Sequence, residues 1–332
     1  LLKENPLDKE ILLGKAMACK NDGRFFEART VLDQILEHDS ANQVALDERV
    51  RVDRFTTPTI DSFFSLFEDN RDRQRLKWGT SVRLPFSDKL TIMPSWARAE
   101  LDDKGVSQID ENEYSLSTMC RLGEVQCELS YTFRDFFGAD DAHNYALTAE
   151  VPLFVDSVMF THAYRSEETA RAVLQNTKYH ENAISIYQAI NNRLSSYCRY
   201  RHADFTDDNR RDSFRVNGLY RLFDQPKFFA GCELALDDTD FYSPVYYTPD
   251  ELKMINALFR FHGQIFGDLK YNVQYAIGHA WERGVDNEIV QNGNASLGLH
   301  ISNSLEIGLF FNFSDTPTYG SKYVLVNLMY LF

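Results

Sequence analysis

From Thr57 to Phe332 the hydropathy of this chain alternates with a period of two. Leu269, Tyr271, Val273, Tyr275 and Ile277 alternate with Lys270, Asn272, Gln274, Ala276 and Gly278. Leu305, Ile307, Leu309, Phe311 and Phe313 alternate with Glu306, Gly308, Phe310, Asn312 and Ser314. Phe214, Val216, Gly218, Tyr220 and Leu222 alternate with Arg215, Asn217, Leu219 and Arg221. Successive side chains of a strand point to opposite faces, so each run has one apolar and one polar face. The runs are ~9–13 residues long, against ~5–6 in a soluble strand, and suit a tilted membrane-crossing strand of about 9–11.

Short turns at Pro85–Lys89, Gly123-Glu124, Val155–Ser157, Asn191–Arg193, Asp224–Lys227, Gly267-Asp268 and Ser302–Ser304 alternate with longer polar loops at 102–112, 135–143, 166–180, 204–211, 237–250, 282–292 and 315–321. Alternating short turns and long loops mark bacterial membrane barrels. Counting from a first strand near Thr59–Asp69 gives about 16 strands, an even number that brings both chain ends to one side. Pro94 requires an edge-like site or a bulge, because it has no N–H for the ladder. The predicted fold is a mainly β, transmembrane antiparallel β-barrel over 57–332. The alternative is a soluble β-sandwich, which buries its apolar faces between two sheets.

Composition removes other classes. No apolar run reaches the ~18–20 residues of a membrane helix, and a mean hydropathy of −0.39 is compatible with a barrel, whose two faces average out. A net charge of −14 argues against a general nucleic-acid binder, which carries a basic footprint. The five cysteines form no CxxC pair, so zinc ribbons and redox motifs have no support. No metal-ligand cluster or phosphate-cradling glycine loop suggests a cofactor. Cys120 and Cys127 flank a tight turn and would be either a cross-strand disulfide or small apolar fillers.

The first 54 residues follow a helical period instead. Residues 7–20 and 25–38 read as two amphipathic helices around a turn at Asn21-Asp22-Gly23-Arg24, with a third beginning near Ala41. Ala16, Gly23, Ala28, Leu32 and Ile35 occupy the offsets of the tetratricopeptide repeat of about 34 residues, which this segment resembles. Pro6 falls where a preceding repeat would end and Ser40 closes the next; Lys15 and Ser40 depart from the expected leucine and proline. One repeat cannot bury both its faces, so residues 1–54 are expected to end a longer helical solenoid. The alternative is a plain helical hairpin capping the barrel.

With the apolar face toward lipid, the opposite face carries Lys77, Arg83, Arg121, Glu128, Arg134, Glu150, Arg165, Tyr197, Arg199, Arg201, Arg215, Arg221, Glu233, Arg260, Lys270, Glu282 and Glu306. Charged rings set pore selectivity and arginine forks suit carboxylate or phosphate, so this wall is expected to favour an anionic or polar solute. Tyr197 and Phe310 could stack on sugar rings. Equally, the arginines could pair with Glu128, Glu150, Glu233 and Glu306 and only brace the wall. The segment 237–250, with Phe241, Tyr242, Ser243, Pro244, Tyr246 and Tyr247, reads either as an ordered rim or lid or as an interfacial aromatic girdle.

The terminal Phe332, with Tyr330 two residues before it, resembles the recognition strand of bacterial outer-membrane proteins. The helical repeat running into a barrel, the opening hairpin from Thr56-Thr57-Pro58 through Glu68-Asp69-Asn70 to Leu84-Pro85, and Phe241-Tyr242-Ser243-Pro244 with Tyr246 together resemble the bacterial outer-membrane exporters of poly-N-acetylglucosamine, cellulose and related exopolysaccharides. That resemblance implies a pore in the outer membrane, contacts with its lipid, a polysaccharide cargo, and a periplasmic repeat segment binding synthase components or nascent polymer. A basic wall departs from what a cationic glucosamine polymer would prefer and leans toward a neutral or acidic glycan. A general or anion-preferring porin is the alternative, and an outer-membrane hydrolase the less favoured one. The scattered His162, His202, His262, His279 and His300 fall in no HExxH or GxSxG context, so no catalytic residue is assigned.

Overall fold

The computed structural model describes residues 9–152, 156–266 and 269–332. Pro6, Val155 of the turn predicted at Val155–Ser157, and the turn Gly267-Asp268 lie outside the described residues. Three helices open the chain: α1 (Lys9–Asn21), α2 (Phe25–His38) and α3 (Gln43–Thr56). Leu12, Ala16, Cys19, Ala28, Val31, Leu32, Ile35, Ala45 and Val52 form one apolar core between them. The Asn42 side chain accepts from Ala45 N–H at 3.1 Å and starts α3, supplying a helix N-terminus with a side-chain acceptor. A nearly buried Glu48 ties α3 to α1 through Lys20 at 2.5 Å.

Sixteen strands follow: β1 (Thr59–Asp69), β2 (Arg73–Ser87), β3 (Leu90–Asp103), β4 (Ile109–Leu122), β5 (Val125–Phe136), β6 (Ala142–Val151), β7 (Ser157–Ser166), β8 (Lys178–Ala189), β9 (Leu194–Phe205), β10 (Arg210–Asp224), β11 (Lys227–Thr239), β12 (Leu252–Ile265), β13 (Leu269–Trp281), β14 (Glu288–Ser302), β15 (Leu305–Asp315) and β16 (Gly320–Leu331). A fourth helix, α4 (Ala170–Leu174), sits between β7 and β8. Each strand pairs antiparallel with its sequence neighbours, and β1 closes the cylinder on β16 from Thr59↔Leu331 to Asp69↔Ser321. Closure leaves no unpaired strand edge, the requirement for spanning hydrocarbon.

The ladder fixes which residues share a face. Phe64, Trp78, Leu116, Leu129, Phe160, Ile255, Val273, Phe311 and Val326 fall on one register, and Ile255 is 52% and Leu129 57% exposed. The opposite register holds the charged pairs and the buried Leu258 and Asn256. Soluble monomers rarely expose a continuous apolar patch beyond a few hundred Å². The outward face is therefore the apolar one and the inward face the polar one, the reverse of a soluble fold.

Pro94 faces Leu116 in a regular β3–β4 ladder, while the β2–β3 ladder passes from Ser81↔Ser95 to Leu84↔Ile92 with no pairing between. The missing proline N–H interrupts the ladder on one side only. Several strands also outlast their predicted ends: β3 runs to Asp103, β4 starts at Ile109 and β14 at Glu288. Strand pairing there continues above the apolar band, where Leu101, Ile109 and Val290 are buried on the inward side and the alternation no longer separates the faces. Cys120 and Cys127 face each other across the β4–β5 turn as free thiols.

Candidate functional site

The helices sit against the end of the barrel formed by the short turns. Asp88, in the β2–β3 turn, accepts from Phe26 N–H of α2 at 2.7 Å. Arg83 donates to the carbonyls of Arg54 (3.0 Å) and Phe55 (3.4 Å) in the last turn of α3, where the helix dipole favours a cation. Arg121 donates to Asp22 O at 3.1 Å in the α1–α2 turn. Gly23 there has φ +73°, and a Cβ on it would stand 2.5 Å from the Arg121 Nη1. Thus Arg83 and Arg121, both on the inward register, serve as anchors for the helical segment.

The other end is covered by loops. The segment between β11 and β12 folds across the mouth: Arg71 and Arg73, from the β1–β2 side, donate to Tyr246 O (3.1 Å) and Val245 O (3.4 Å). Because β2 and β11 stand on different sides of the cylinder, these contacts cross the opening. The loop carrying α4 meets it there. The Thr169 hydroxyl donates to Val245 O at 2.9 Å and accepts from Ala172 N–H at 3.1 Å, while Asp103 of β3 accepts from Arg171 N–H at 2.8 Å. Ala172, Ala203, Phe205, Val245 and Tyr246 form a small apolar core.

Tyr246 is the centre of this lid and is only 1% exposed. Its ring stacks on Phe205 at 4.3 Å, and its hydroxyl donates to Asp207 at 3.0 Å and accepts from Asn209 at 2.9 Å. Burial pushes the Tyr246 phenol well above its ordinary range, and that of Tyr247 up to about 12. Tyr247 stacks on Tyr319 at 4.4 Å beneath Arg71 and Arg211. Ser243 is buried, whereas Phe241, Tyr242 and Pro244 point outward. Glu282, read from the sequence as an inner-wall residue, instead accepts from Asp250 N–H and the Thr318 hydroxyl, bracing the lid from the β13 end.

Under the lid lies a cavity of 490 Å³. Arg73, Arg75, Lys77 and Arg165 with Asp69, Glu113, Glu167 and Glu168 supply its charged groups, and Phe67, Tyr145, Tyr179, Tyr246, Tyr247 and Tyr319 its aromatic ones. Glu167 is held above the usual carboxylate range because burial outweighs the attraction of Arg211, Arg201 and Arg73. A pocket with ion-pairing forks, hydroxyls and phenol rings suits a polar, ring-shaped ligand such as a sugar.

Around the cavity and below it the inner wall is laced by ion pairs. Arg134 clamps Glu111 at 2.5 and 2.8 Å, both nearly inaccessible. Arg201 pairs with Glu181 at 2.8 Å beside Arg199 at 3.8 Å; Lys77 pairs with Glu113 at 2.8 Å, Arg211 with Asp237 at 2.5 Å, and Arg215 with Glu233 at 3.7 Å. Tyr197 donates to the Ser185 hydroxyl at 3.4 Å. Farther down, Arg221 donates to Asn192 O at 2.6 Å, Arg260 to Asn272 at 3.2 Å, and Glu306 pairs with His300 at 2.8 Å. Glu128, Glu150 and Lys270 occupy inward positions in the same half, and Phe310 faces inward opposite Leu325. The acids that pair with these basic residues are therefore mostly Glu111, Glu113, Glu181 and Asp237; of the expected set Glu233 pairs with an arginine, and Glu306 with His300 instead. Sequence reading also missed Arg73, Arg75, Arg211 and Glu167. Arg73 and Arg75 continue the inward alternation of β2, and Arg211 stands at the end of the predicted loop 204–211; Glu167 is placed by a loop that has no period. His162, His202 and His279 lie on the outward register, His202 between Asp204 and Asp212.

In fold, the chain is similar to a bacterial polysaccharide outer membrane secretin: the TM-score is 0.69 at 14% identity, over 84% of this chain and 99% of the other. Weaker likenesses include OccK11 (OpdR) of Pseudomonas aeruginosa, with a TM-score of 0.44 at 11% identity over 83% and 95% of the two chains. OmpF of Salmonella typhi, in complex with daunomycin, gives 0.43 at 13% identity over 83% and 97%. No protein-family model matches the chain. No curated protein matches it in sequence. The shared property is an outer-membrane-type β-barrel fold.

Proposed function

We propose that this protein is a pore of the bacterial outer membrane that exports an exopolysaccharide from periplasm to cell surface. The observation that carries the reading is a polar, tyrosine-lined cavity at the top of a charged inner wall, shut by two interlocked loops, with a helical scaffold docked at the opposite end. The apolar outer face would contact membrane lipid. The pore-lining path would run past Arg260, Lys270 and Arg221, between Arg215, Arg199 and Tyr197, and through the cavity by Arg165 to the rim at Phe241 and Tyr242. Residues 1–54 would be the end of a periplasmic tetratricopeptide solenoid that binds synthase components or nascent polymer, and 57–332 the barrel. The likeness to a polysaccharide secretin over 99% of its length supports this reading. The protein is a conduit in this account, with no catalytic residue and no cofactor.

The alternative is a general or anion-preferring porin. The interlocked loops favour a mouth that opens for a particular cargo over one that stands open. Deleting the gene separates the two. Loss of surface polymer, with polymer retained in the periplasm, is the export result; unchanged surface polymer with reduced small-solute uptake is the porin result.

A further inference from the structure

The charged groups of the cavity under the lid are divided unequally between its two sides. On the side of β1, β2 and β4 every basic group is engaged. Arg73 pairs with Asp69 at 2.7 Å, Lys77 with Glu113 at 2.8 Å, and Arg75 with Glu168 of the β7–β8 loop. On the side of β5, β6 and β7 stands Arg165, opposite Tyr179 in the β7–β8 ladder. Arg165 is exposed and, among the described residues, makes no hydrogen bond and no ion pair. Elsewhere on the upper wall Arg134, Arg201 and Arg211 each hold a carboxylate.

The groups around Arg165 are open as well. The Ser130 and Thr132 hydroxyls line the cavity and make no hydrogen bond among the described residues. Asn144, opposite Thr132, accepts through Oδ1 from the Ser166 N–H at 2.9 Å and the Ser166 hydroxyl at 3.2 Å, which leaves its Nδ2 without a partner. Ala146 and Ala163, paired across β6 and β7, add only methyl groups to this side. Glu167, two residues beyond Arg165, lines the cavity with its carboxylate in no hydrogen bond or ion pair. A guanidinium without a carboxylate of its own can grip one brought by a ligand, through two parallel N–H donors. Unpartnered hydroxyl and amide groups beside it match the hydroxyls of a sugar ring.

We propose that this side of the cavity is a subsite for a sugar unit bearing a carboxylate, as a hexuronate does, with the carboxylate on Arg165 and the ring hydroxyls on Ser130, Thr132, Asn144 and Glu167. The cargo is then an acidic glycan. This assignment rests on the reading of the barrel as a polysaccharide pore and narrows its substrate. The full chain in detergent micelles is titrated calorimetrically with trigalacturonate, with galactotriose as the neutral counterpart and a glucosamine trimer as the cationic one. Trigalacturonate should bind roughly tenfold or more tightly than either, the worth of a charge-assisted pair. Arg165→Gln should erase that preference, and Arg165→Lys should keep part of it, retaining the charge without the fork. Folding of each variant is checked by the heat-dependent gel mobility of the barrel. Equal affinity for the acidic and neutral trimers, or an undiminished preference in folded Arg165→Gln, overturns the subsite and leaves the export reading standing. Displacement of trigalacturonate by acetate at the same carboxylate concentration overturns sugar recognition in favour of a free-anion site. Tighter binding of the glucosamine trimer overturns the acidic cargo. Unchanged surface polymer after gene deletion overturns the export reading, whatever the trimers show.

Discussion

The lid should open when Asn209 is removed. Asn209 is fully buried and its side chain makes four hydrogen bonds: Nδ2 donates to Phe241 O and the Tyr246 hydroxyl, both at 2.9 Å, and Oδ1 accepts from Arg210 N–H at 3.0 Å and Phe241 N–H at 3.2 Å. Three of the four reach the lid segment itself. A typical hydrogen bond contributes about 0.5–1.5 kcal/mol net, and leaving buried partners unsatisfied costs more. Asn209→Ala should therefore shift the closed–open balance of this segment by roughly 2–4 kcal/mol, or about 30- to 700-fold at tenfold per 1.4 kcal/mol. Planar-bilayer recording reads the effect directly: the variant should show frequent long openings where the wild type shows rare ones. The barrel should keep its heat-dependent mobility, because Asn209 lies between β9 and β10 and outside both. Identical gating in a correctly folded variant would refute the claim that these loops close the mouth.

Other outcomes follow from the same geometry. Reversing charge at Arg199, Arg201 and Arg215 should weaken an anion preference measured as a reversal potential under a salt gradient; cation selectivity of the intact pore would contradict the charge assignment. Glu111→Gln should leave the buried Arg134 without a counter-charge and cost about 3–5 kcal/mol, lowering the temperature at which the barrel loses its folded mobility. Glu167 is protonated more readily in the closed state than when exposed, so lid closure binds a proton. Closure should be strongest at low pH and weaken as pH rises through the raised Glu167 value, and Glu167→Gln should remove that dependence from single-channel records. Gly23→Val meets both a left-handed backbone and the Arg121 guanidinium, and should loosen the α1–α2 turn from the rim, seen as faster proteolysis of the helices with the barrel intact.

The barrel was legible because period-two alternation is a local property that lipid on one side and water on the other impose on every strand. The edges of the strands were not: Ile109, Arg211 and Glu288 stand above the apolar band, where inward residues such as Ile109 and Val290 are apolar too and alternation no longer tells the faces apart. The inward register of Arg199, Arg201 and Arg215 could be read by counting, but their partners could not: Arg201 finds Glu181 on the next strand, at a position set by the length of the turn between β8 and β9. The aromatic segment 237–250 read as either lid or girdle. Its side chains alone do not say whether Tyr246 turns into the mouth, which depends on Phe205 and Asn209 from another loop. Likewise the helical turn signal at Gly23 gave no hint of Arg121, nearly a hundred residues away.

The account stands on hydrocarbon outside this cylinder and water within it. Spin labels placed one at a time from Tyr271 to Gly278 in a cysteine-free background, in lipid bilayers, report collision with oxygen, which partitions into lipid, and with a water-soluble nickel chelate. Oxygen accessibility should peak at Tyr271, Val273, Tyr275 and Ile277, and nickel accessibility at Asn272, Gln274, Ala276 and Gly278. A profile without that alternation, or one in which Val273 is shielded from both reagents, would contradict it.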